Sequence, residues 1–231
     1  MFMLKDDKDN FYKEIPYEII RSKRKSLGLT IDNEGRLIVR APIRLSEKHI
    51  INFIKEKEQW ISEKQGQARA SAAKYSPITL ENGENILYLG EYYTVQREAG
   101  QAVTIEDGKL LVPDEMILAG FAGWLKDQAG TVIKKRVDYY AEMMGVKYTS
   151  VKMSAARRRW GSCGATDTLN FAWRLVMCPI SVIDYVVVHE LCHIIHKDHS
   201  AKFWNLVAEL MPDYKRCQKW LRQNRALMDI I

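Results

Sequence analysis

The sequence predicts an α+β protein: a mostly β N-terminal region with one helix, followed by a mainly helical domain with a small sheet. Three observations predict it. Apolar residues alternate at period two through much of residues 17–40 and 85–113, and their spacing lengthens to about three and a half near Pro113. Hydrophobic residues make up 47% of the 231, ample for buried cores. The change of period places a boundary between about 108 and 116, giving a β-rich domain over 1–112 and a second domain over 113–231.

Leu27, Leu29 and Ile31 alternate before the turn DNEG, and Leu37 and Val39 alternate after it, so a hairpin fits the stretch from Tyr17 to Arg40. Ser46 offers an N-cap to one helix, whose apolar face is Ile50, Phe53, Ile54, Trp60 and Ile61 and whose other face carries Lys and Glu. QGQARASAAKYSP reads as a linker or a frayed helix end. NILYLGEYYTVQRE and AVTIEDGKLLVP, with their glycine-containing turns, predict three or four short strands. Ile117, Leu118, Phe121, Trp124, Leu125, Val132, Ile133, Val137, Tyr140 and Met144 then recur at helical spacing, with Asp114 as N-cap and Gly145 as the stop. Short strands fit YTSVKMS and TLNFAWRLVM. Two further helices fit SVIDYVVVHELCHIIHK and SAKFWNLVAELM, and Pro212 begins the last.

The net charge of +6 is concentrated in RSKRK at 21–25 and RRR at 157–159, which permits contact with nucleic acid without requiring it. The charged opening MFMLKDDKDNFYKEI is unlike a secretion signal, and eighteen apolar residues never run together, so a cytoplasmic protein with no membrane association is expected. Cys163, Cys178, Cys192 and Cys217 form no C-x-x-C pair and read as reduced thiols.

Four of the five histidines lie between 189 and 199. His189, Glu190 and His193 spell H-E-x-x-H: residues four apart share a helix face, so both imidazoles reach one ion, while Glu190, one step round, reaches a water beside it. The lead-in VIDYVVV is apolar nearly all round, as in a helix threaded through a core. Catalytic zinc takes three protein ligands and keeps one position open. The candidates for the third are His199, past the polar turn KDH and before the capping residue Ser200; His196, which stands where H-E-x-x-H-x-x-G-x-x-H sequences have glycine; and Glu209 on the next helix. His199 is preferred, because a ligand from beyond the helix end completes a tetrahedron more easily.

With RRRWGSCGATDTLNFAWRLVMCP standing before DYVVVHELCHIIHKDHSAKFW, the chain resembles the YgjP-like metal-dependent hydrolases, relatives of the SprT-like and WLM-type zinc peptidases. R-W-G-S-C at 159–163, W-R-L at 173–175 and H-S-x-x-F-W after the H-E-x-x-H are the specific elements. The resemblance implies a zincin-like C-terminal domain with one Zn2+ per chain on His189, His193 and His199, and Glu190 as general base. It also implies a cleft-lining edge strand around TLNFAWRL that holds an extended peptide, with Arg159, Trp160, Asn170 and Trp173 as substrate-binding residues. Ala172 stands where relatives are expected to carry a polar asparagine.

The function expected is therefore a zinc metallopeptidase acting on peptide or protein substrates. Two alternatives remain at this level: a DNA-associated protease anchored by the basic runs, and a non-catalytic binding module whose metal is structural, closed by four protein ligands with His196 as the fourth.

Overall fold

The computed structural model describes residues 17–32 and 35–231, and of residues 71–74 the backbone alone. The fold is α+β. Its contacts separate two compact units, Met1–Ser76 and Pro77–Ile231.

In the first unit, β2 (Gly28–Ile31) and β3 (Leu37–Pro42) form the expected antiparallel pair, with Leu29 opposite Val39 and Ile31 opposite Leu37. The tip of its turn, Asn33 and Glu34, lies outside the described residues. Strand β1 (Tyr17–Ser22) is not the hairpin's continuation; it adds parallel to the other edge of β3. Ser46 caps α1 (Glu47–Glu56), its hydroxyl accepting from the His49 N–H. The single helix expected here is two, because the chain leaves helical geometry at Lys57 before α2 (Glu58–Lys74) resumes it. The stretch read as a linker or a frayed helix end is mostly the end of this helix, in keeping with its content of Ala, Gln, Arg and Lys. Ile50, Ile54 and Ile61 pack on Leu37, Val39 and Ala41 to form this unit's core.

The second unit opens with a four-stranded sheet ordered β4-β5-β7-β6, from β4 (Asn85–Tyr88), β5 (Glu91–Glu98), β6 (Thr104–Glu106) and β7 (Lys109–Pro113). Its two hairpins turn on Leu89-Gly90 and Asp107-Gly108, all four residues at positive φ, the geometry that matches strand twist in a two-residue turn. The change of period near Pro113 thus marks the passage from sheet to helix inside this unit, while the break in contacts lies at Ser76/Pro77.

Helix α3 (Leu118–Met144) begins after Ile117 rather than after Asp114, whose N–H bonds to Glu98 O and prolongs the strand pairing. It ends where Gly145 turns to φ 64, as its position after the last periodic residue predicts. Phe121, Leu125, Ala129, Ile133 and Val137 form its buried face. Arg136 of this helix makes two bonds to the buried carboxylate of Asp184, 2.5 and 2.8 Å, and so ties α3 to helix α4 (Ile180–Ile195), which carries H-E-x-x-H.

Two further contacts set α4 in place. At its start, the N–H groups of Leu89 and Gly90 donate to Val176 O and Met177 O at 2.8 and 3.1 Å, so the β4–β5 turn sits directly on Pro179, the residue before the helix. Alongside it lies a small sheet ordered β8-β10-β9, from β8 (Ser150–Ser154), β9 (Gly161–Cys163) and β10 (Thr168–Ala172). This corrects the expected edge strand around TLNFAWRL: β10 is the middle strand, paired with β8 on one side and β9 on the other, and Trp173–Met177 leave it as a 3-10 turn. The edge nearest α4 belongs to β9, within R-W-G-S-C. After α4 come α5 (Ala201–Leu210) and α6 (Tyr214–Gln223), the latter starting two residues beyond Pro212.

Candidate metal centre

Helical spacing puts His189 and His193 on one face of α4, and the chain then leaves the helix at His196, whose backbone is extended. Ser200 N–H donates to the Asp198 carboxylate at 3.1 Å, fixing the turn that brings His199 back over that face. The result is a convergence of three ring nitrogens: His199 Nε2 lies 3.2 Å from His193 Nε2 and 3.2 Å from His189 Nε2. In a tetrahedral site with Zn–N bonds of about 2.0–2.1 Å, neighbouring nitrogens stand roughly 3.3 Å apart, so this donor set fits such an ion. Among the described residues no other trio of His, Cys, Asp or Glu side chains comes together this way, and neither the His196 ring nor Glu209 joins it.

The histidines are held from behind. His193 Nδ1 lies 3.0 Å from the carbonyl of His196, which must accept; Nδ1 therefore carries the proton and Nε2 is left bare for a metal. Tyr185, one turn before His189, places its hydroxyl 3.5 Å from His189 Nδ1 and accepts a hydrogen bond from Gln218 Nε2 at 3.0 Å. Phe203 is fully buried beneath the trio, its ring centroid 4.5–4.9 Å from each imidazole, and Trp204 stacks on His199 at 5.6 Å. These contacts explain the F-W of H-S-x-x-F-W, which the sequence motif alone left without a role. Burial, with His193 and His199 beside it, holds the His189 imidazole down at about 4, and burial also lowers His193. Both shifts favour the neutral ring, the form that can bind a metal.

Glu190 is 5% exposed. Burial pushes its carboxyl up to about 8, against the opposing pull of the Cys163 backbone N–H and the Arg159 charge. Its carboxyl rests on β9: a β-carbon at Gly161 would lie 2.6 Å from Glu190 Oε1.

The remaining sequence candidates separate. Arg159 is exposed, and Trp160, half-buried, gives its carbonyl to Ala172 N–H at 2.9 Å; the two precede β9 directly. Asn170 pairs with Ser162 and Lys152 and alternates with the buried Leu169 and Phe171, so it shares the outer face of the small sheet. Trp173 is buried, with the Arg174 guanidinium 4.2 Å over its ring. Arg157 reaches the Ile231 carbonyl at 2.9 Å, while its own carbonyl accepts from Arg225. All four cysteines are free, and Cys192 is packed in the core as its place inside H-E-x-x-H predicts. No helix among the described residues is long and apolar enough to cross a membrane.

A family model described as YgjP-like, metallopeptidase domain matches residues 25–224. No curated protein and no solved structure matches the chain.

Proposed function

Because the chain belongs to the YgjP-like family and carries its metallopeptidase domain over most of its length, we propose that it hydrolyses peptide bonds at one zinc ion held by His189, His193 and His199, with Glu190 as general base. One observation carries this reading: three Nε2 atoms converge at ligand spacing beside a buried carboxyl. A zinc ion there would supply Lewis-acid chemistry, acidifying water and polarising a carbonyl. Glu190 takes the proton of the attacking water and passes it to the leaving amine.

The trio favours catalysis over a structural metal. A structural site is closed by four protein donors, whereas here the described residues converge as three and leave a position open. The substrate's backbone finds its partner on β9. Residues 160 and 164 bond inward to β10, so by alternation 161 and 163 turn their N–H and C=O groups to the outer edge of β9, where an extended peptide adds as a further strand through the groups other than the Cys163 N–H, which faces Glu190. Arg159 and Trp160 directly precede that strand, which supports a role for their side chains in meeting substrate.

Elemental analysis of the wild type is expected to give one zinc per chain, with hydrolysis of an unfolded protein substrate. His199→Ala should bind the metal more weakly. Unchanged metal affinity in that variant would take His199 out of the ligand set, and hydrolysis by a metal-free preparation would remove the metallopeptidase reading.

A further inference from the structure

We propose that Gly161 is a positioning residue for Glu190: the missing β-carbon at this point of β9 is the space in which the general base sits. The inference rests on the proposed role of Glu190 and extends it to the strand that fixes where its carboxyl lies.

Glycine at 161 is not required by the backbone. Its φ lies outside the positive range, in contrast to the turn glycines at 35, 83, 90, 108 and 145. What an added β-carbon would meet is Glu190 alone among its three nearest atoms: Oε1 at 2.6 Å and Cγ at 2.8 Å, closer than β-carbons come to other atoms, and Cδ at 3.0 Å, a tight contact. Gly164, just past the end of the same strand, is the natural contrast. A β-carbon there would meet Thr168 O at 3.5 Å, an ordinary contact.

The second hold on Glu190 comes from the same strand. With Trp160 O and Gly164 N–H bonded to β10, the N–H of Cys163 turns outward, and its dipole acts on the Glu190 carboxyl against the upward push of burial. The carboxyl therefore feels the N–H dipole at 163, and its approach is permitted by the space at 161. A methyl at 161 would displace the carboxyl by something under an ångström. His189 and His193 are bound by contacts of their own to Tyr185, His196 and Phe203, so the metal site stays as it was. Displacements of about 1 Å near reacting groups cost on the order of a hundredfold in rate.

The test is a double-mutant cycle read in two ways. In the metal-free chain, Gly161→Ala should lower the urea midpoint when Glu190 is present and leave it unchanged or raise it in a Glu190→Ala background, where the added methyl fills the space vacated. Gly164→Ala should not depend on residue 190. In the zinc-loaded chain, Gly161→Ala should lower kcat about a hundredfold with KM and zinc affinity unchanged, and its effect should not multiply with that of Glu190→Asp. A midpoint shift independent of residue 190, or a kcat for Gly161→Ala within twofold of wild type, would overturn the inference. If Gly161→Ala alone fails to fold while the double variant with Glu190→Ala folds, the contact is confirmed. Absence of hydrolysis by the wild type would instead overturn the proposed function, and the urea midpoints would still decide the contact.

Discussion

Helix α4 is met closely by two glycines, Gly90 before its first turn and Gly161 beside Glu190, and they meet different kinds of atom. A β-carbon at 90 would lie 2.7 Å from Pro179 Cα and 2.9 Å from its Cγ, and the backbone there already sits at φ 89. Main chain and a proline ring cannot step aside. At 161 the backbone is ordinary and the obstacle is a single side chain with rotatable bonds. The first glycine secures where the helix begins, and the second secures where one of its carboxyls points. Equal crowding therefore has unequal consequences: substitution at 90 is felt by the fold, and substitution at 161 by the chemistry.

The largest effect expected is that of Glu190→Gln. It keeps the shape that Gly161 accommodates and removes the proton acceptor, so hydrolysis should fall by about 10² to 10⁴, the usual contribution of a positioned base, while zinc content stays at the wild-type level. A calorimetric melting temperature close to wild type below about pH 4.5 should accompany it, and one increasingly above wild type as the pH rises to about 8, because over that window glutamate ionises once unfolded while the buried carboxyl must keep its proton and the amide need not. Normal turnover would show that the carboxyl at Gly161 is not the base, and the comparison would lose its functional half. Gly90→Ala should do the reverse. A left-handed non-glycine residue costs about 1–2 kcal/mol and overpacking against Pro179 about 1–3 kcal/mol more, so urea unfolding should register a loss of roughly 2–5 kcal/mol. Hydrolysis per folded molecule should persist. If stability held and kcat fell instead, the two glycines would be doing the same job.

The same contrast explains what was readable in the sequence. H-E-x-x-H is local: a single helix turn aligns His189 with His193, and the turn KDHS that returns His199 is written in adjacent residues. The period-two and period-3.6 stretches gave the strand and helix classes because each element buries its own face. Strand β9 was not readable, because three residues show no alternation and exist as a strand only through pairing with β10. The parallel strand β1 escaped for the same reason, since its pattern says nothing of which edge it joins. Gly161 is quoted in the R-W-G-S-C motif, yet the reason for a glycine there lies on a helix far along the chain. Phe203 and Trp204 likewise reveal their role only once α5 is folded against the histidines.

The smallest effects sharpen the comparison on the histidine side of α4, where the supports are hydrogen bonds rather than a steric limit. Tyr185→Phe removes the hydroxyl facing His189 Nδ1 and leaves the packed ring. Outer contacts of this kind contribute 10- to 100-fold to metal affinity, and a 3.5 Å separation places this one at the low end, so chelator competition should show zinc bound about tenfold more weakly. Gln218→Leu, one bond further out, should weaken it by less, because Tyr185 keeps its hydroxyl and only that group's orientation is freed. Neither variant should alter the coupling between positions 161 and 190, since the histidine supports and the Glu190 cradle touch α4 through different atoms. Were Tyr185→Phe to change that coupling, the two faces of the helix would have to be treated as one mechanical unit, and the assignment of metal binding to one face and proton transfer to the other would fail.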